Sequence, residues 1–386
     1  MKKVLLLGAS GSIGSQTLDI IDKNLDRFLL VGFSVGKRHQ IIEQLIKKYP
    51  HVKDIYLIDK DVALSLKEKY PHINFYSGND GLAMITNRCD YDMCVDALVG
   101  FSGMEPAILA LQRDKILCLA NKEALVAGGT LINNLLEEGH GKLYPIDSEH
   151  VAFAKCLSKV NNDDVKCLRI TASGGALRNI PLEQLKDVKA SEALKHPTWN
   201  MGKKITIDCA TMMNKGFEII EAYYLFGYGP RDVHILMHDE SLIHSAVELN
   251  DGSLVLDYGK PDMHGPIEYA LFESKIDYEL KHVKSLDELK DCHFHEYNPE
   301  RYPLCELAIK CLKEGPSKMI ALNAANEVAV NYFLEEKIGY LDIYKTVKQV
   351  VDNTPKVRYL SLEDVKEIDA KARKEAKLIC QLSSIG

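Results

Sequence analysis

The chain lacks several features that would settle its class at once. No apolar run in its 386 residues approaches the ~18 needed to cross a bilayer, so no membrane span is expected. The opening Met1-Lys2-Lys3 followed by Val4–Leu7 imitates a signal peptide. Its apolar stretch breaks at Gly8 and enters a glycine-rich turn, so a buried strand is expected there. There is no surplus of positive charge. With 48 Lys and Arg against 55 Asp and Glu the net charge is -7, which argues against a nonspecific nucleic-acid partner. No two of the ten cysteines stand in a C-x-x-C pair, and several lie inside apolar runs, as Cys118 does in Ile116–Ala120. Buried, reduced thiols in a cytoplasmic protein are expected. Cys292-His293-Phe294-His295 could hold a metal, but its alternation with an aromatic residue reads better as a strand. Internal repeats and low-complexity segments are absent.

What is present is an α/β rhythm. Short β-rich runs at Val4–Leu7, Leu29–Val35, Ile55–Ile58, Met93–Leu98, Ile116–Leu119 and Leu143–Ile146 alternate with helical stretches such as Gln16–Lys23, Gln40–Lys48 and Ala107–Arg113. This predicts a Rossmann-like, doubly wound parallel sheet over residues 1–150. A central α+β domain is expected over 151–295. Its predicted strands are Leu168–Thr171, Ile205–Cys209, His234–Met237 and Ala246–Leu249, and Asn250-Asp251-Gly252 is a hairpin turn leading to Leu254–Leu256. A helix is expected from about Met212 to Phe226. The remainder, 296–386, reads as a linker and a C-terminal helical bundle, with Ser361 and Asp364 forming a capping box before the last helix.

Gly8-Ala9-Ser10-Gly11-Ser12-Ile13-Gly14 joins the first strand to the first helix. Glycines there permit a tight turn, and the helix N-terminus offers free N–H groups to a pyrophosphate. The second strand runs into Gly36-Lys37-Arg38 with no acid at its end. An acid would bind the 2′-hydroxyl of NAD, whereas two cations suit the 2′-phosphate of NADP.

Asp147-Ser148-Glu149-His150 follows the last strand of the first domain. Its two carboxylates could converge on a hard cation, Mg²⁺ or Mn²⁺. They could equally cap a helix, with Asp147 or Ser148 as N-cap and Glu149 in the first turn. Further on, Asn214, Lys215 and Glu218 fall on about one helical face, where a third carboxylate stands beside an anion-binding amide and amine.

Taken with Ala120–Glu123, Thr171–Gly175, His196–Gly202, Asp208–Glu218, His244-Ser245, Pro261–Met263 and Ala321–Glu327, these motifs resemble the 1-deoxy-D-xylulose 5-phosphate reductoisomerase family. They run in family order along nearly the whole chain. The resemblance implies an NADPH- and divalent-metal-dependent enzyme. It would rearrange and reduce a small phosphorylated sugar, 1-deoxy-D-xylulose 5-phosphate, to 2-C-methyl-D-erythritol 4-phosphate in non-mevalonate isoprenoid biosynthesis. It also implies a homodimer. Asp147, Glu149 and Glu218 would ligate Mg²⁺ or Mn²⁺. Lys122, Ser148 and Asn214 would contact the substrate's hydroxyl and keto groups, with Lys122 and the three carboxylates forming the catalytic set. Ser173, His196, Asn214 and Lys215 would surround the phosphate, with Cys209 where the family often has a serine. Residues 193–203, including Trp199 and Met201, would form a flap. Ser10, Gly11, Ser12, Ile13, Gly36, Lys37, Arg38, Asn121, Glu123 and Gly202 would hold NADPH. The competing reading is an NADP-dependent dehydrogenase of another small phosphorylated or carbonyl substrate, which would need no three-carboxylate site.

Overall fold

A computed structural model describes residues 1–275 and 289–383. The apolar runs of the first third become parallel strands because both faces of each are buried; Val4–Leu7, Met93–Val95 and Leu117–Cys118 are essentially inaccessible to solvent. The strands are β1 (Lys2–Leu7), β2 (Phe28–Val35), β3 (Asp54–Leu57), β4 (Asn74–Tyr76), β5 (Met93–Asp96), β6 (Ile116–Leu119) and β7 (Lys142–Pro145). They pair in the order β4-β3-β2-β1-β5-β6-β7, all parallel. The chain winds outward in one direction through β2, β3 and β4, then returns to β1's other side through β5. The β1/β5 junction is thus the topological switch point, where α/β folds open a crevice at the strands' C-terminal ends.

The intervening helices are α1 (Ser12–Lys23), α2 (Ile42–Lys48), α3 (Lys60–Lys69), α4 (Gly81–Arg88), α5 (Met104–Gln112) and α6 (Lys122–Glu137). Of the strands, only the three-residue edge strand β4 was not expected from the sequence. This sheet, its helices apart from residues 125–130 of α6, and residues 263–275 form one compact unit.

Of the described residues, the second unit comprises 125–130, 148–262 and 289–383. Its helices and strands follow as α7 (Ser148–Leu157), β8 (Val165–Ala172), α8 (Ala190–Ala193), α9 (Lys203–Thr211), α10 (Met213–Phe226), β9 (Val233–His238), β10 (Ile243–Leu249) and β11 (Leu254–Tyr258). Helix α11 (His264–Leu271) packs in the first unit. The strand β12 (Phe294–Glu296) completes a mixed sheet ordered β11-β10-β8-β9-β12. Helices α12 (Pro303–Glu314), α13 (Pro316–Leu334), α14 (Tyr340–Asn353) and α15 (Leu362–Ser383) follow. Helix α13 is buried nearly all round, as a helix at the centre of a bundle must be. The capping box at α15 is present: the Asp364 N–H donates to Ser361 Oγ at 3.2 Å and the Ser361 N–H to Asp364 Oδ2 at 2.8 Å.

One expectation fails. Ile205–Cys209 is not a strand but the middle of α9. Ile205, Ile207 and Cys209 alternate, which imitates a strand. The buried set Ile207, Ala210 and Thr211 follows the helical period, and Lys204 pairs with Asp208 one turn on at 2.7 Å. Tertiary packing against the helical core selects the helix.

The ten cysteines are all free thiols. Cys292-His293-Phe294-His295 leads into and forms part of β12, and its histidines have carboxylate partners: His293 meets Glu240 at 2.7 Å and His295 meets Asp239 at 3.4 Å.

Candidate active site

In the first unit the glycine turn is dictated by close approach. Gly8 has φ +92°, and a Cβ there would lie 2.4 Å from the carbonyl oxygen of Ala97, just past β5. A Cβ on Gly14 would lie 2.2 Å from the Gly8 oxygen. Only glycine lets the turn cross the switch point and α1 start against it. Ser34 on β2 fixes the turn, its Oγ accepting the Gly8 N–H at 2.8 Å and its carbonyl the Ala9 N–H at 2.9 Å. Ser10 to Ile13 follow, and Gly11, the N-cap of α1, makes no side-chain cap. The first N–H groups of α1 are therefore left to a ligand or water. Gly36, Lys37 and Arg38 are exposed beyond the end of β2, and neither cation makes an ion pair among the described residues.

At the end of β6, Asn121 caps α6 by accepting the Ala124 N–H at 2.7 Å. Its amide donates to the carbonyls of Leu98 and Gly100 at 3.0 and 2.9 Å, tying the β5 and β6 loops together. Lys122 and Glu123 follow in the first turn of α6, both buried. Lys122 Nζ donates to Asp147 Oδ2 at 2.8 Å, with side-chain exposures of 8% and 10%. Breaking so buried a pair by removing one partner costs roughly 3–5 kcal/mol. Asp96 under these loops is fully buried, and burial pushes its carboxyl up to about 8.

The second unit gathers the rest. Ser148 and Glu149 open α7, and the Ser148 hydroxyl donates to Glu149 Oε2 at 2.6 Å. Asn214, Lys215 and Glu218 lie on the first turns of α10. The Asn214 amide donates to Glu218, and Lys215 pairs with Glu218 and, at 3.7 Å, with Glu149. Ligand oxygens of Glu149 and Glu218 lie within 4.8 Å of each other, around one buried ammonium. Two carboxylates gathered in this way form an oxygen-donor arrangement of the kind a hard metal ion takes.

A second cluster forms at the end of β8. The Ser173 Oγ lies 3.2 Å from His196 Nε2. His196 Nδ1 accepts the N–H groups of Thr198 and Trp199 at 3.3 and 3.0 Å, so the proton sits on Nε2 and points to Ser173. Burial, assisted by the charge of Arg178, pulls His196 down to about 4, which keeps it neutral at pH 7. Gly174 and Gly175, both at positive φ, let this loop lie on α9; a Cβ on Gly175 would meet Ala210 Cα at 2.6 Å and Cys209 carbonyl carbon at 2.7 Å. Cys209 is half-buried there.

These features are matched in known proteins. Residues 4–129 match the 1-deoxy-D-xylulose 5-phosphate reductoisomerase family, and residues 143–226 and 258–375 match its two C-terminal domain families. The chain belongs to the 1-deoxy-D-xylulose 5-phosphate reductoisomerase family. A reductoisomerase of Acaryochloris marina is 41% identical over 99% of this chain and 96% of its own, and one from Bacillus thuringiensis subsp. konkukian is 39% identical over 97% and 98%. A reductoisomerase from Zymomonas mobilis solved with NADPH superposes with TM-score 0.87 at 36% identity, covering 98% of this chain and 99% of its own. A DOX-P reductoisomerase solved with NADPH, fosmidomycin and magnesium gives 0.90 at 33% identity, covering 99% of both.

Trp199 is half-buried, its ring 6.1 Å from His244, while Met201 and Gly202 continue toward α9. Burial lowers the pKa of His244. Sequence reasoning missed Ser34, which anchors the glycine turn, and the pair His150–Glu221. That pair is buried at 3.2 Å between α7 and α10, and each partner lies beside a carboxylate helix turn. His150 belongs to the Asp147–His150 motif. Glu221, one turn beyond Glu218, could have been found as a second acid on a largely apolar helix. No helix among the described residues is long and apolar enough to cross a membrane.

Proposed function

We propose that this chain converts 1-deoxy-D-xylulose 5-phosphate and NADPH to 2-C-methyl-D-erythritol 4-phosphate with a divalent cation, as a homodimer in the cytoplasm, within isoprenoid precursor biosynthesis. The observation that carries the reading is the convergence of Glu149 and Glu218 around the buried Lys215, which gives an oxygen-donor set suited to Mg²⁺ or Mn²⁺. Asp147, two residues before Glu149, would be the third ligand. Residues 1–150 would form the NADPH domain, 151–295 the catalytic and connecting domain, and 296–386 the linker and helical domain.

The residues divide the work. Ser10, Gly11, Ser12 and Ile13 would meet the cofactor's pyrophosphate, Gly36, Lys37 and Arg38 its 2′-phosphate, and Asn121, Glu123 and Gly202 its nicotinamide half. The cation supplies Lewis acidity toward the substrate's keto and hydroxyl oxygens, and NADPH supplies the hydride. Lys122 would place an ammonium where negative charge develops on oxygen. Ser148 and Asn214 would fix the hydroxyl groups by hydrogen bonds. The neutral His196, with its Nε2 proton, would donate to the phosphate beside Ser173, Asn214 and Lys215. Cys209, a weak donor, would contribute less than the serine common in the family. Trp199 and Met201 would cover the bound substrate and exclude water.

The test is the product's carbon skeleton. Incubation with NADPH, Mg²⁺ and 1-deoxy-D-xylulose 5-phosphate should give a branched polyol phosphate by NMR. An unbranched reduction product would instead establish the simple dehydrogenase reading.

A further inference from the structure

The loop that carries Ser173 is held from behind by an arginine that no motif singled out. Arg178 Nη1 donates to the Ser173 carbonyl and to the Asp239 carbonyl, each at 3.2 Å. The same nitrogen lies 3.7 Å from Asp239 Oδ1, and the two side chains are 23% and 34% exposed. One guanidinium therefore bridges the loop after β8 to the turn between β9 and β10. That turn also touches the flap: Ser241 Oγ lies 3.1 Å from Thr198 Oγ1. Thr198 in turn donates its N–H to His196, whose other nitrogen faces Ser173. The contacts close a ring from Arg178 through Ser173, His196, Thr198 and Ser241 back to the turn at Asp239.

We infer that Arg178, held by Asp239, is a positioning residue for the substrate's phosphate: it fixes Ser173 by its carbonyl and braces the turn on which the flap's Thr198 rests. This rests on the reading of Ser173 and His196 as phosphate ligands. Two features favour positioning over general stabilisation. The bonds go to main-chain carbonyls at both ends, so they set the loop's location without engaging the Ser173 hydroxyl, which faces His196. The guanidinium is also close enough for its charge to lower the affinity of His196 for a proton, so its field reaches the place a phosphate dianion would occupy. Lysine keeps the charge and a nitrogen donor but cannot replace it fully, because its ammonium rides on a flexible stem without the rigid guanidinium plane that fixes Nη1 between the two carbonyls.

The experiment is steady-state kinetics on full-length Arg178→Met, Arg178→Lys and Ser173→Ala, with inorganic phosphate as a competitive inhibitor. Arg178→Met should raise KM for the sugar phosphate and Ki for inorganic phosphate together, by roughly tenfold. It should leave KM for NADPH unchanged and kcat within about threefold, and Arg178→Lys should recover part of the loss. A folded Arg178→Met with unaltered KM and phosphate Ki overturns the inference. Should that variant not fold, Asp239→Ala loosens the same bridge from its more exposed end and should raise both constants two- to fivefold; no change there overturns the inference equally. Ser173→Ala separates the two readings. If it raises KM while Arg178→Met does not, the inference alone is overturned; if it leaves KM unmoved, the phosphate reading falls and takes the inference with it.

Discussion

The glycine turn of the first unit is built by main chain lying against main chain, whereas the carboxylate cluster of the second is built from charged side chains. In the first, Gly8 and Gly14 let backbone approach backbone, and the start of α1 presents N–H groups. In the second, Glu149, Lys215 and Glu218 meet through side chains from α7 and α10, 66 and 69 residues apart along the chain. The difference teaches why the two sites tolerate change differently. A main-chain site is altered by adding a Cβ. A side-chain site is altered by removing one charge, which leaves its buried partners uncompensated.

The largest effect is expected where that compensation is lost. Glu218→Gln keeps the shape of the side chain and removes its charge. It should lower kcat/KM on the order of a thousandfold, about 4 kcal/mol, with the thermal midpoint shifted by only a few degrees. Full activity at low Mg²⁺ would dissolve the contrast between the units. Trp199→Ala should follow, with kcat/KM lowered roughly ten- to a thousandfold and NADPH affinity nearly unchanged. Because Trp199 is the chain's single tryptophan, its emission should shift when a substrate-like phosphonate binds at constant NADPH. Unaltered emission with normal turnover would make it a core residue.

On the first unit, Lys37→Ala should reduce the preference for NADPH over NADH roughly ten- to a hundredfold, about 1.5–3 kcal/mol, while leaving metal dependence intact. Equal kcat/KM for the two cofactors in the wild type would refute the 2′-phosphate reading. Cys209→Ser should be active, with KM equal or lower by a few fold, since a hydroxyl is the better donor. A folded but inactive serine variant would show a need for the thiol itself.

The last contrast is one of pH. His196 falls to about 4 in the folded chain, below the ordinary imidazole value of about 6.5, so the unfolded chain binds more protons between them. Its contribution to stability is complete above about pH 6.5 and is lost as pH falls toward 4. The His196 ring should show no titration near 6.5 by NMR, and His196→Gln should flatten this part of the stability profile. A ring that titrates near 6.5 would remove the neutral-donor role.

The same contrast explains what was legible in the sequence. The parallel sheet could be read because its inner strands are buried on both faces and announce themselves as apolar runs; β4, three residues at the edge, is too short to do so. The glycine turn could be read because its cause is local. Ile205–Cys209 was misread because the forces that make it a helix lie outside it, in Asn326 donating to Asp208 at 2.9 Å and in the core under Ile207 and Ala210. The carboxylates were found by their types and spacing. Their supports were not: Glu221 meets His150 across 71 residues and Arg178 meets Asp239 across 61, with no periodicity linking either pair.

A metal-dependent reductive rearrangement is tested most directly by NADPH oxidation in the presence of 1-deoxy-D-xylulose 5-phosphate with and without chelator. Oxidation should require the sugar phosphate, stop on chelation and return when Mg²⁺ or Mn²⁺ is restored. Oxidation that continues at the same rate after chelation would contradict it.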